Sequence, residues 1–167
     1  MTARGKGKEE VRADVPVPFE LPFEVPVVVG RGGVAPARAH ADDAGYDLRA
    51  VLSEPQGIVL RSGGAVKIPT EVSVAIPEGM VGLVAPRSGL AFNHLVTLVN
   101  SPGVIDAGYR GVIWVALINH GAQAIQIRPG DRIAQLLFVR LAPVELVQVD
   151  ALPDSARGGN GLGSTGR

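Results

Sequence analysis

The 167-residue chain contains no cysteine, which removes disulfides and thiolate metal sites. It has no surplus of either charge, with 16 Lys and Arg against 16 Asp and Glu. A general nucleic-acid binder carries a basic excess, so no nucleic-acid partner is expected. Any anionic ligand must be held by a few placed arginines and backbone amides. Histidine is scarce, and His40, His94 and His120 lie far apart, which suggests no metal cluster. Long apolar runs are missing: the longest, Val112 to Ile118, falls far short of the ~18 residues that span a bilayer. The charged N-terminus, with Arg4, Lys6, Lys8, Glu9, Glu10 and Arg12, is not followed by the apolar stretch of a signal peptide. A cytoplasmic protein without membrane association is the expectation. Leu and Met total only 17, against 33 for Val and Ile. β-Branched residues favour strands, and 22 Gly and 13 Pro interrupt helices. A helical bundle is excluded and an all-β domain is expected.

Residues 1–26 read as an extension of the domain, disordered or arm-like. The first fourteen are small, polar and charged. Pro16, Pro18, Pro22 and Pro26 then break up an apolar segment, leaving an extended arm or an edge strand. Strand candidates follow at Glu71 to Ile76, with Val72, Val74 and Ile76 on one face, and at Met80 to Ala85, Leu95 to Val99 and Val112 to Ile118. Ile125 to Arg128, Ile133 to Arg140 and Val144 to Val149 complete the set. The segment VIWVALI is apolar on both faces and is expected between sheets or against another subunit. Ser88 to Asn93 is the one helical turn, with Ser88 as its cap and Asn93 as its stop. Many short strands at even spacing point to a β-sandwich or jelly roll over residues 27–150. Residues 151–167 form a Gly-rich C-terminal arm.

Five segments carry chemistry. In the arm, Gly161-x-Gly163-x-x-Gly166 spells the dinucleotide fingerprint, but that fingerprint works only between a strand and a helix, and with one residue left after it no Rossmann unit is expected. What remains is a loop able to close backbone amides on an anion, with Arg157, Ser164 and Thr165 as further donors, or simply a tail. Arg87 and Ser88 precede the helical turn, where amides and a guanidinium suit phosphate, or where Ser88 is an ordinary cap. Asp106 follows an apolar pair and precedes a Gly-rich bend. It is either a partly desolvated carboxylate able to deprotonate water or a turn residue bonding its own backbone. Asp47, and Gln135 inside an apolar strand, are weaker candidates; Gln135 needs a partner or solvent.

Taken in order, AGYDLRA (44–50), PRSGLA (86–91), GVIDAGYRG (103–111), RIAQLLF (132–138) and RGGNGLGSTG (157–166) resemble the five motifs of the trimeric dUTP pyrophosphatases, the dUTPases. The resemblance covers about residues 27–167. It implies a jelly-roll β-sandwich, a homotrimer with each site built from three chains, and a mobile C-terminal arm. The implied reaction is Mg²⁺-assisted attack of water on the α-phosphorus of dUTP, giving dUMP and pyrophosphate. It removes dUTP from the DNA precursor pool and supplies dUMP for dTMP synthesis.

By the same resemblance, Asp106 activates the attacking water and Tyr109 lies beneath the deoxyribose, excluding a 2′-OH. Asn100, Gly103, Val104 and Ile105 belong to the hairpin that reads uracil through backbone groups. Arg87, Ser88, Gly89 and Gln135 contact phosphates, and Arg157, Gly163, Ser164 and Thr165 belong to the closing arm. Asp47 approaches the metal through water. Leu162 departs from the family, which commonly places an aromatic over the base there, and Asn160 replaces a glycine. Two alternatives share the fold: a non-catalytic nucleotide-binding regulator and a dCTP deaminase. No Glu lies between Glu78 and Glu145 to act on a cytosine amine, which disfavours the deaminase. The N-terminal extension is a candidate site for an unknown partner.

Overall fold

The computed structural model of the chain describes residues 23–156 and 158–159. Along these residues run β1 (Val27–Val29), β2 (Tyr46–Arg49), β3 (Ile58–Leu60), β4 (Ala65–Pro69), β5 (Val72–Val74) and β6 (Met80–Ala85). A short helix α1 (Ser88–His94) precedes β7 (Val96–Leu98), β8 (Gly103–Ile105), β9 (Trp114–Asn119), β10 (Ile125–Ile127) and β11 (Arg132–Arg140). The paired strands are antiparallel. They form a four-stranded sheet ordered β2-β11-β6-β8, a three-stranded sheet β4-β9-β7, and the pairs β1-β5 and β3-β10. The all-β jelly-roll expectation is met.

Strands with one inward face bury every second residue, and here the inward sets converge on one core. Leu48, Ile68, Val72, Val96, Leu117, Ile127 and Leu136 contribute to it from seven different strands. Val72, Val74 and Ile76 are all buried, as their spacing requires, although the strand itself ends at Val74. Two polar residues are fully enclosed and both are satisfied. Thr70 donates from Oγ1 to the Ile113 carbonyl at 2.8 Å. Asn119 donates to the carbonyls of Leu60 and Gln123 and accepts from the Gly121 amide, tying the end of β9 to β3. A buried amide with three partners costs little, whereas one left unpaired would be expensive.

Two local expectations are corrected, the helix bounds and the strand at Val144 to Val149, while the VIWVALI segment keeps its second alternative, a face against another subunit. Ser88 is the first helical residue, and Arg87 stands at the N-cap in extended conformation with no side-chain cap bond. The helix runs past Asn93 to His94 and ends at Leu95 in left-handed conformation (φ 55°). In the VIWVALI segment only the inward residues Ile113, Val115 and Leu117 are enclosed; Trp114 is nearly half exposed, and Ala116 and Ile118 are half-buried. Val144 to Val149 forms no strand. It has the β-branched composition, but among the described residues no neighbour pairs its backbone, and Leu146 is 97% exposed.

Candidate active site

The four-stranded sheet brings the first group of candidates together. Gln135 on β11 stands in register with Asp47 on β2 on one side and with Ala85 at the end of β6 on the other. Arg87, two residues past Ala85, reaches over β11 and donates from Nε to Asp47 Oδ1 at 2.8 Å. The second carboxylate oxygen accepts from Arg132 Nη1 at 3.1 Å. The half-buried Gln135 finds a partner, donating from Nε2 to the Pro86 carbonyl at 2.9 Å. Its Oε1 packs so closely over Gly45 that a Cβ there would overlap it. The result is a cleft of about 300 Å³ bounded by Asp43, Gly45, Asp47, Arg87, Ser88 and Gln135. Ser88 and Gly89 are exposed at the start of α1, and open space surrounds Gly89.

At the rim, Asp43 Oδ2 accepts from the His40 backbone amide at 2.9 Å and lies 3.3 Å from its ring nitrogen. The amide bond, with a smaller contribution from the ring, holds the Asp43 carboxyl below the ordinary aspartate range.

The second group gathers around β8. The turn from Asn100 to Gly103 leads into it, and a Cβ on the buried Gly103 would press on the Asn100 amide group. Val104 is exposed and Ile105 half-buried. Asp106 follows directly, and its carbonyl accepts from the Tyr109 amide at 3.0 Å. The Tyr109 hydroxyl donates to the Val112 carbonyl at 2.9 Å. This folds the ring back over Gly111, where no side chain would fit. Val104, Ile105, Asp106, Tyr109 and Trp114 border a shallow cleft of about 200 Å³. Asp106 is exposed, so the expected partial desolvation of this carboxylate is not met within one chain.

These two groups do not meet. β8 runs antiparallel to β6, with Gly103 opposite Val84 and Ile105 opposite Gly82. Asp106 therefore leaves the sheet toward Val81, and Arg87 leaves it at the other end. At ~3.3 Å per residue the offset along the sheet is of order 20 Å. Arg157, Leu162, Gly163, Ser164 and Thr165 lie outside the described residues.

Sequence reasoning assigned nothing to Arg132, Asp43 or Gly45. The spacing His40-x-x-Asp43 is a turn signal that could have found Asp43, whereas nothing local marks Arg132. Among the described residues no three His, Cys, Asp or Glu side chains could hold a metal together. Asp47 is a single carboxylate with an arginine on each oxygen. That donor set does not fit an all-protein cage. A Mg²⁺ carried largely by phosphates and water would need no such cage.

The dUTPase family profile matches residues 31–166. The deoxyuridine 5′-triphosphate nucleotidohydrolase of Tropheryma whipplei (strain Twist) is 49% identical over 141 residues, covering 84% of this chain and 94% of that protein. Among solved structures, the Staphylococcus bacteriophage 80alpha dUTPase with dUpNHpp superposes with a TM-score of 0.76 at 29% identity, covering 86% of this chain and 99% of that one. A mutant dUTPase from phage phi11 of S. aureus, described with a coordinated structural Mg(II) ion, gives a TM-score of 0.67 at 28% identity over 77% of this chain and 98% of its own. With the five motifs in order, the jelly-roll fold and a profile that matches residues 31–166, the chain belongs to the dUTPase family of nucleotide hydrolases.

Proposed function

We propose that this chain hydrolyses dUTP to dUMP and pyrophosphate, with Mg²⁺, in a homotrimer. One observation carries the reading: the Arg87 guanidinium is already oriented beside an open cleft, in the segment whose resemblance to the family's second motif implies phosphate contacts. Phosphoryl transfer asks a protein mainly for positioning and charge stabilisation, and preorganised donors serve both. Arg87, Ser88, Gly89 and Gln135 bind the phosphate chain, and Arg157, Gly163, Ser164 and Thr165 close on it. Asn100, Gly103, Val104 and Ile105 present backbone groups to uracil. Cytosine would meet the wrong donor and acceptor pattern, and a mismatched hydrogen bond in a closed site discriminates by orders of magnitude. Tyr109 packs under the sugar and Leu162 over the base. Asp106 takes the proton of the attacking water. Asp47 is the residue that would hold Mg²⁺ through water, and the ion would supply neutralisation of phosphate charge when bound with the substrate.

Three features of the single chain support the homotrimer. Asp106 and Arg87 leave the sheet at opposite ends, the outward face of β9 stays half open, and the Val144 to Val149 segment exposes its apolar side chains. A site assembled from several copies accounts for all three. Removal of dUTP from the precursor pool and supply of dUMP in the cytoplasm are the cellular role this activity would serve. Pyrophosphate release with dUTP, dTTP, dCTP and UTP, with and without Mg²⁺, tests the reading. Mg²⁺-dependent release from dUTP alone is expected. Absence of turnover would leave a nucleotide-binding regulator, and ammonia from dCTP would indicate a deaminase.

A further inference from the structure

Strand β11 breaks its alternation once. Its register with β2 runs Gln135 to Asp47, Ala134 to Leu48, then Arg132 to Arg49, passing over Ile133. Ile133 and Ala134 are consecutive, yet both are buried in the core. A regular strand sends neighbours to opposite faces, so one extra residue turns over everything before it. Without the bulge Arg132 would point into the core; with it, Arg132 emerges on the face that carries Asp47 and Gln135. There its Nη1 donates to Asp47 Oδ2 at 3.1 Å, and its carbonyl accepts from Arg87 Nη1 at 3.5 Å.

The charge arithmetic gives this arrangement a purpose. Asp47 alone would neutralise Arg87 and weaken its pull on an anion. A second guanidinium on the same carboxylate leaves the cluster net positive while Asp47 still fixes the Arg87 geometry. Arg132 does not border the cleft, so it acts through its neighbours.

We infer that Arg132, aimed outward by the bulge at Ile133, is a positioning residue that holds Asp47 and thereby sets Arg87 toward the substrate phosphates. The inference rests on the dUTP reading, and its test begins with the wild type. A wild-type chain that fails to bind dUpNHpp overturns that reading itself. Given binding, Arg132→Met is expected to weaken dUpNHpp affinity and raise the KM for dUTP by roughly 10–100-fold, the usual consequence of a misplaced binding group. Deoxyuridine, which has no phosphate, should bind as before. Arg132→Lys should recover part of the loss, because it restores the charge without the planar fork. In an Asp47→Asn background Arg132→Met should add little, since both act through one contact. Equal losses for dUpNHpp and deoxyuridine, no loss for dUpNHpp, or additive losses in the double variant would each overturn the inference. Should Arg132→Met fail to fold, Arg132→Lys and Arg132→Gln decide it by the same comparison of the two ligands.

Discussion

Asp106 and Arg87 leave the same four-stranded sheet from opposite ends, because β8 and β6 are antiparallel neighbours with Gly103 opposite Val84. The carboxylate proposed to activate water and the guanidinium proposed to bind phosphate cannot serve one substrate from one chain. They can do so from two.

This makes complementation the sharpest prediction. Asp106→Asn should lower turnover by about 10²–10⁴-fold while dUpNHpp still binds, as loss of a general base does. Arg87→Ala should also be nearly inactive. Unfolded together and refolded as mixed trimers, the two variants should regain activity at about a quarter of sites, those that draw intact Asp106 from one chain and intact Arg87 from another. Mixed trimers as inactive as their parents would place both residues in one chain and sink the shared site.

Gly45→Ala sets a methyl group against Gln135 Oε1. Overpacking of this kind costs about 1–3 kcal/mol, and the side chain that must yield is a proposed phosphate contact. A lower melting temperature together with a raised KM for dUTP is expected. Adding Gln135→Ala should recover part of the lost melting temperature, because the Cβ of residue 135 still lies 3.0 Å from the new methyl group, and should leave the KM high. Recovery of both would separate Gln135 from substrate binding.

Asp43 gives the cleft rim a pH dependence. Its folded pKa lies below its unfolded value because the charged carboxylate accepts the His40 amide. The turn at 40–43 is therefore fully supported above the ordinary aspartate value of 3.8 and loses that support as pH falls through the lower folded value. An NMR titration should show the Asp43 carboxyl and the His40 amide changing together, with a midpoint below 3.8. A midpoint at or above it contradicts the bond.

By its resemblance to the family's fifth motif, Leu162 is proposed to occupy the position of an aromatic ring over the base. Restoring one with Leu162→Phe should strengthen the closed state by about 1 kcal/mol, seen as a lower KM or a higher kcat for dUTP. Unchanged constants would mean that this position does not cover the base.

Much of the fold was legible in the pattern of residues. Strand β6 spans Met80 to Ala85, as its apolar run between turn signals requires. The alternation of Val72, Val74 and Ile76 marked core positions correctly. Gln135 was recognisable as a polar residue in need of a partner, although only the folded chain names that partner as the Pro86 carbonyl. Val144 to Val149 shows where such reasoning ends. Composition reports that a segment can be a strand, but a strand also needs a neighbour, and none among the described residues pairs with it.

The sequence by itself determined the all-β class, the family, and the chemistry on offer at each motif, because these depend on residue types and their order. The tertiary structure decided which of those motifs are neighbours. It set Asp47, Arg87 and Gln135 around one cleft, kept Asp106 away from them, and turned Arg132 outward through a single bulge. The reason is that register, strand direction and bulges are properties of paired strands, and no strand carries in its own residues the position at which its partner will bind.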